Sequence, residues 1–164
     1  MSRSVAIRGF TLIELMVTLA ILVVMASVAV PSYLQFTRNT QVQGKAEEVE
    51  ALLRYARSQA VVTRKPYELV LDNDTWYVEP RDGGAIERQV EFNPAQTKPL
   101  SSDLTDNTMV FLPNGTVRQN GRITLCRDDD FEHGYSIEIK ASGAIHLYQR
   151  GYLDASNKLT TCIP

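Results

Sequence analysis

The sequence predicts an α+β fold, one long amino-terminal helix packed on an antiparallel β domain. Three observations predict it. Charge is nearly absent from residues 10–37, where Glu14 stands alone in a chain of 17 basic and 19 acidic residues. Next, Val42, Ala46, Val49, Leu53, Ala56 and Ala60 recur at spacings of three and four, which is the apolar stripe of a helix. From residue 64 the pattern becomes short apolar runs punctuated by Gly, Asn and Asp. The averages conceal this division: 44% hydrophobic, 22% charged and a formal net charge of −2. They exclude a disordered acidic tail, a collagen-like repeat and a strongly basic nucleic-acid binder.

Residues 1–9 form a short leader carrying Arg3 and Arg8. The apolar run 10–30 follows, 21 residues long. As a helix it spans roughly 30 Å, the thickness of a bilayer core. Positive charge before the run places the leader on the cytoplasmic side. A signal peptide cut near Ser27-Val28-Ala29 is one reading, but the run exceeds the usual apolar core and contains a carboxylate. A plain membrane anchor leaves Glu14 unexplained, since a carboxylate in a spanning helix costs about 2.5–3.5 kcal/mol and is functional by default.

The segment Arg8-Gly9-Phe10-Thr11-Leu12-Ile13-Glu14-Leu15 resembles the processing site of type IV pilins and the pseudopilins of type II secretion. The resemblance implies cleavage by a membrane-embedded prepilin peptidase between Gly9 and Phe10, then methylation of the new amino terminus on Phe10. Loss of the leader removes Arg3 and Arg8 and takes the formal side-chain charge from −2 to −4. In that family the carboxylate corresponding to Glu14 meets the terminal amine of a neighbouring subunit and sets helix register. Positions 10 and 14 are also i, i+4 neighbours, so neutralisation of its own amine stays equally open.

Pro31 follows the apolar run and predicts a kink, as is common in that family, rather than a helix end. Residues 31–63 form the amphipathic half of the helix, with Glu50 and Arg54 a favourable i, i+4 pair on another face. Lys65-Pro66 ends it.

Residues 64–164 read as a β-rich domain. Runs 67–71 and 75–79 predict a hairpin, and 86–92, 108–112, 116–117 and 123–126 predict further strands. Runs 135–140 and 144–148 flank Ala141-Ser142-Gly143 as a second hairpin. Residues 93–106, with two prolines, read as a long loop.

Phe111-Leu112-Pro113-Asn114-Gly115, Ile123-Thr124-Leu125-Cys126 and Gly143 before Ile145-His146-Leu147-Tyr148 resemble the GspH/FimT/FimU branch of minor pilins and pseudopilins. That resemblance implies two β-sheets and a structural role. A FimU-like minor pilin would prime type IV pilus assembly and join tip minor pilins to the major pilin shaft. Its partners would be prepilin peptidase, other minor pilins, the major pilin, the inner-membrane assembly platform and, before assembly, membrane lipid. It would begin in the bacterial inner membrane with a periplasmic domain and end in a cell-surface pilus. A GspH-like pseudopilin shares these features.

Cys126 and Cys162 are the two cysteines, both in the part expected to leave the cytoplasm, and a pair in an oxidising compartment predicts a disulfide. Asp128-Asp129-Asp130 with Glu132 lacks an EF-hand spacing, so a solvated acidic loop is expected rather than a calcium site. His133 and His146 have no third ligand at metal spacing. No nucleophile elbow, P-loop or dinucleotide fingerprint occurs, so neither an enzyme nor a cofactor is expected. Some FimT-like pilins bind DNA. Residues 64–164 carry 11 basic and 15 acidic side chains, and the acidic run opposes any patch made by Arg118, Arg122 and Arg127. Nucleic acid is therefore not an expected partner.

Overall fold

The computed structural model describes residues 10–72, 74–93, 97–102, 104 and 107–162. It divides into two units, with the boundary between Thr37 and Arg38. One helix, α1 (Leu12–Thr63), supplies the described regular structure of the first unit and continues into the second. It runs through Pro31 without ending there. It stops where Arg64 adopts a left-handed φ of 56° just ahead of Pro66, the usual geometry of a helix carboxyl terminus.

The second unit holds two four-stranded antiparallel sheets. The strands are β1 (Tyr67–Asp72), β2 (Thr75–Pro80), β3 (Arg88–Glu91), β4 (Lys98–Ser102), β5 (Thr108–Phe111), β6 (Gly121–Cys126), β7 (Tyr135–Ile139) and β8 (Ile145–Leu147). Their orders are β3-β2-β1-β5 and β4-β6-β7-β8.

Alternation decides which side chains face the core. In the first sheet Tyr67 pairs with Phe111, Leu69 with Val78 and Met109, Leu71 with Trp76, and Trp76 with Val90. All of these are buried. In the second, Ile123 pairs with Ile137, and Ile139 with Ile145, also buried. Both inner rows join one apolar cluster with Val42, Ala46, Val49, Leu52, Leu53, Ala56 and Ala60 of α1. The stripe read from the sequence is the core face, with Leu52 added.

Two expectations need correction. The segment 93–106 is not a plain loop, because β4 lies within it and pairs with β6 from Lys98↔Cys126 to Ser102↔Arg122. Pro99 obscured it. An edge strand tolerates proline because one row of its backbone groups needs no partner, and β4 is an edge. Conversely, residues 116–117 make a single bridge, Phe111↔Val117, rather than a strand.

That bridge stands where the sheets are stitched together. Val117 N–H donates to the Ala141 carbonyl at 3.1 Å, and Arg118 N–H to the Val110 carbonyl at 3.0 Å. The preceding turn is closed by Gly115 N–H to Leu112 O at 2.8 Å, with Gly115 at φ 78°. Gly143, at φ 79°, packs so closely on the Gly115 carbonyl that a Cβ would collide with it. Arg57 Nε donates to that same carbonyl at 2.9 Å, which binds α1 to both turns.

Candidate assembly and processing site

The start of α1 is a reciprocal cap. Thr11 N–H and Thr11 Oγ1 both donate to Glu14 Oε2 at 3.2 Å, and Glu14 N–H donates to Thr11 Oγ1 at 3.3 Å. Thr-x-x-Glu before an apolar run is the capping box, which satisfies donors that the first helical turn leaves without partners. Inside a bilayer that need would be sharper than in water, because no solvent reaches those donors. Both groups follow Phe10, so the cap does not depend on the leader. Phe10 itself is exposed, as are the large apolar side chains of α1 from Leu12 to Leu34. The most apolar 18-residue window of this helix has a mean hydropathy of 2.5, enough in length and composition to cross a membrane. Gly9 lies outside the described residues. The capping role of Thr11 was overlooked from the sequence, although Thr and Glu three residues apart ahead of an apolar run are sufficient to reveal it.

At the far end of the chain, Cys126 and Cys162 form a disulfide with Cα atoms 6.0 Å apart. Both sulfur-bearing residues are buried. The segment after β8 is held by more than this bond. Gly151 N–H donates to Gly134 O, Leu159 N–H to Gly151 O, and Thr124 Oγ1 to Cys162 O at 2.6 Å. Leu159 is buried, and Tyr152 bridges to Lys158. Asp154 accepts from Ser156 N–H, Asn157 N–H and the Asn157 amide, at 2.8 to 2.9 Å. The Asn157 side chain above all, then these backbone donors, pull the Asp154 carboxyl down to about 2.

Other polar groups divide into fastenings. Glu87 accepts from Tyr55 and Tyr67 hydroxyls at 2.9 and 2.8 Å, pinning the chain beside β3 to α1 and β1. Glu138 accepts from Tyr148 Oη at 2.6 Å and lies near Arg122 and Lys140. The Tyr148 hydrogen bond, with attraction from Lys140 and Arg122, lowers the Glu138 carboxyl below its ordinary range. The acidic run does not converge. Asp128 lies 3.4 Å from Arg127 Nε, and Asp130 lies 2.8 Å from His133 Nδ1. Among the described residues no three His, Cys, Asp or Glu side chains gather as metal ligands. His146 stacks beside Tyr148 at 6.4 Å. Arg122 and Arg127 face Glu138 and Asp128, so two of the three arginines that could make a basic patch are already engaged.

Comparison with known proteins finds family matches at the amino terminus and through most of the second unit. A family model described as type II transport protein GspH matches residues 45–143, and one described as a prokaryotic N-terminal methylation motif matches residues 6–30. A fimbrial protein of Pseudomonas aeruginosa is 30% identical over 128 residues, covering 75% of this chain and 80% of that protein. The crystal structure of the Pseudomonas aeruginosa type IV minor pilin FimU superposes with a TM-score of 0.64 at 24% identity, covering 77% of this chain and 98% of that one. The minor pseudopilin EpsH from the type II secretion system of Vibrio cholerae superposes with a TM-score of 0.55 at 9% identity, covering 71% and 99%. These two likenesses establish the fold.

Proposed function

The chain belongs to the GspH family of minor pilins and pseudopilins, and from that membership we propose that it is a FimU-like minor pilin of the type IV pilus. The family is one of structural subunits, not enzymes, and the apolar amino-terminal helix anchors the chain in a membrane. In this reading prepilin peptidase cuts between Gly9 and Phe10, Phe10 is methylated, and Glu14 aligns the helix against its neighbours. The chain waits in the inner membrane with its second unit in the periplasm. It is then drawn by the assembly platform into a pilus, where it primes assembly and joins the tip minor pilins to the major pilin.

The observation that carries the pilus reading is the fimbrial relative, matched over three quarters of this chain. A pseudopilin of type II secretion is the second reading, favoured by the description of the family model and by the EpsH fold. Deletion of the gene separates them when twitching motility and protein secretion are scored side by side. Loss of surface pili with normal secretion is expected. Normal pili with lost secretion would reverse the choice.

A further inference from the structure

Between Phe10 and Thr37 the aromatic residues are Phe10, Tyr33 and Phe36, so both ends of the stretch carry rings and its middle carries none. Tyr33 and Phe36 stand three residues apart on one side of α1 and are 69% and 68% exposed. The helix between the rings suits lipid on every side. All residues from 10 to 36 are exposed. A helix apolar all round belongs in a core or a bilayer, and here no core covers it. Its hydroxyls turn back to the backbone: Thr18 Oγ1 donates to Leu15 O at 2.9 Å, and Ser27 Oγ to Val24 O at 2.7 Å. Neither needs water.

Two depths are open to such a helix. If apolar length alone set the depth, the run 10–30 would centre on Ala20. Glu14 would then lie roughly 6 Å inside the hydrocarbon core. Rings at the end of the run change this. A tyrosine has an apolar body and a polar tip, and tyrosines concentrate at the headgroup level for that reason. With Tyr33 at that level, the midplane falls near Val24, about 14 Å back along the helix.

We propose that Tyr33 and Phe36 anchor α1 in one headgroup layer of a phospholipid bilayer and so hold Glu14 at the opposite edge of the hydrocarbon core. The inference rests on the membrane anchoring stated above and adds its depth. Glu14 lies nineteen residues before Tyr33. That is roughly 28 Å of helix, close to a core thickness of about 30 Å. The carboxylate then reaches headgroup water and escapes the penalty of a charge among acyl chains. Phe10 falls in the same layer, so the amine created there by cleavage would share that layer with Glu14. Charge agrees with the placement, because the next charged residue after Glu14 is Arg38, two positions beyond Phe36.

The two native cysteines are bonded to each other, so an introduced cysteine is the single free thiol. The full chain carrying Ala20→Cys or Val24→Cys is labelled with a nitroxide in vesicles of phosphatidylethanolamine and phosphatidylglycerol. Accessibility to oxygen relative to a water-soluble nickel chelate reports depth. Position 24 is expected to lie deeper than position 20 by about 6 Å. Tyr33→Gln with Phe36→Gln is expected to reverse that order, and Tyr33→Trp with Phe36→Trp to keep it. Greater depth at position 20 in the otherwise unchanged chain overturns the proposal, as does an order that the glutamine pair leaves in place. If neither position favours oxygen, the helix is outside the bilayer, and the anchoring falls together with its depth. The deletion phenotypes do not depend on label depth, so the pilus reading can fail alone.

Discussion

At the scale of single residues, Glu14 has two jobs that can be pulled apart. Its carboxylate caps its own helix through Thr11, and in the proposed filament it also meets an amine. Thr11→Ala removes the hydroxyl half of the cap and leaves the charge, at a cost of about 0.5–2 kcal/mol of local helix stability. Glu14→Ala removes both. Cleavage is expected in each, judged by the mobility of the mature chain. Filament incorporation is expected to survive in Thr11→Ala and fail in Glu14→Ala. Equal failure would assign the residue to capping alone. A second residue-scale expectation concerns Glu138. Its folded carboxyl lies below the ordinary value of 4.5 because Tyr148 and two cations favour the ionised form. That contribution is present above the ordinary value and disappears as pH falls through the lowered one. Tyr148→Phe therefore costs about 1 kcal/mol near pH 7 by urea unfolding, and the cost shrinks as pH falls through the lowered value. A cost that does not change with pH would remove the ionised carboxylate from the explanation.

At the scale of elements, legibility followed periodicity. The helix stripe, the 67–80 hairpin and the strand pair around Gly143 each repeat a pattern long enough to read, and each stands in the structure within a residue or two. β4 was hidden because Lys98-Pro99-Leu100-Ser101-Ser102 has neither alternation nor β-branched residues, and its pairing comes from β6. The junction of the two turns with α1 was hidden for a different reason. Arg57, Gly115 and Gly143 meet only in three dimensions, although the glycines were singled out in sequence. Gly44 is an exposed glycine inside α1 with open space where a Cβ would stand. Gly44→Ala is expected to stabilise the chain by about 0.5–1 kcal/mol, read from the thermal midpoint in detergent. No gain would mean that the helix is bent or strained there. The disulfide belongs to this scale too. Its 36-residue separation corresponds to about 3–4 kcal/mol of loop entropy. Cys162→Ser should expose residues after 150 to protease before the sheets unfold. Simultaneous loss of both would mean that the tail and the sheets form one cooperative unit.

At the scale of the whole molecule, charge separates what the average composition blends. The first unit has one carboxylate in the stretch built for lipid. The second carries a surplus of acid and encloses a single core between one helix and two sheets. The family was legible in the sequence at the amino terminus, where a processing motif needs a fixed order of residues. The choice between pilus and pseudopilus was not, since both machines make the same demands on leader, helix and fold.

The unbroken course of α1 has a mechanical consequence. A pull on the apolar amino-terminal part of α1 is passed along the chain of the helix into the row from Val42 to Ala60. Seven buried side chains take that load together, in shear, before any strand does. The disulfide and the tail lie off this line of tension. Under stretching, the strength of the subunit is therefore set by how deeply its helix is keyed into the core, and Leu53→Ala should lower the rupture force where Cys162→Ser leaves it unchanged.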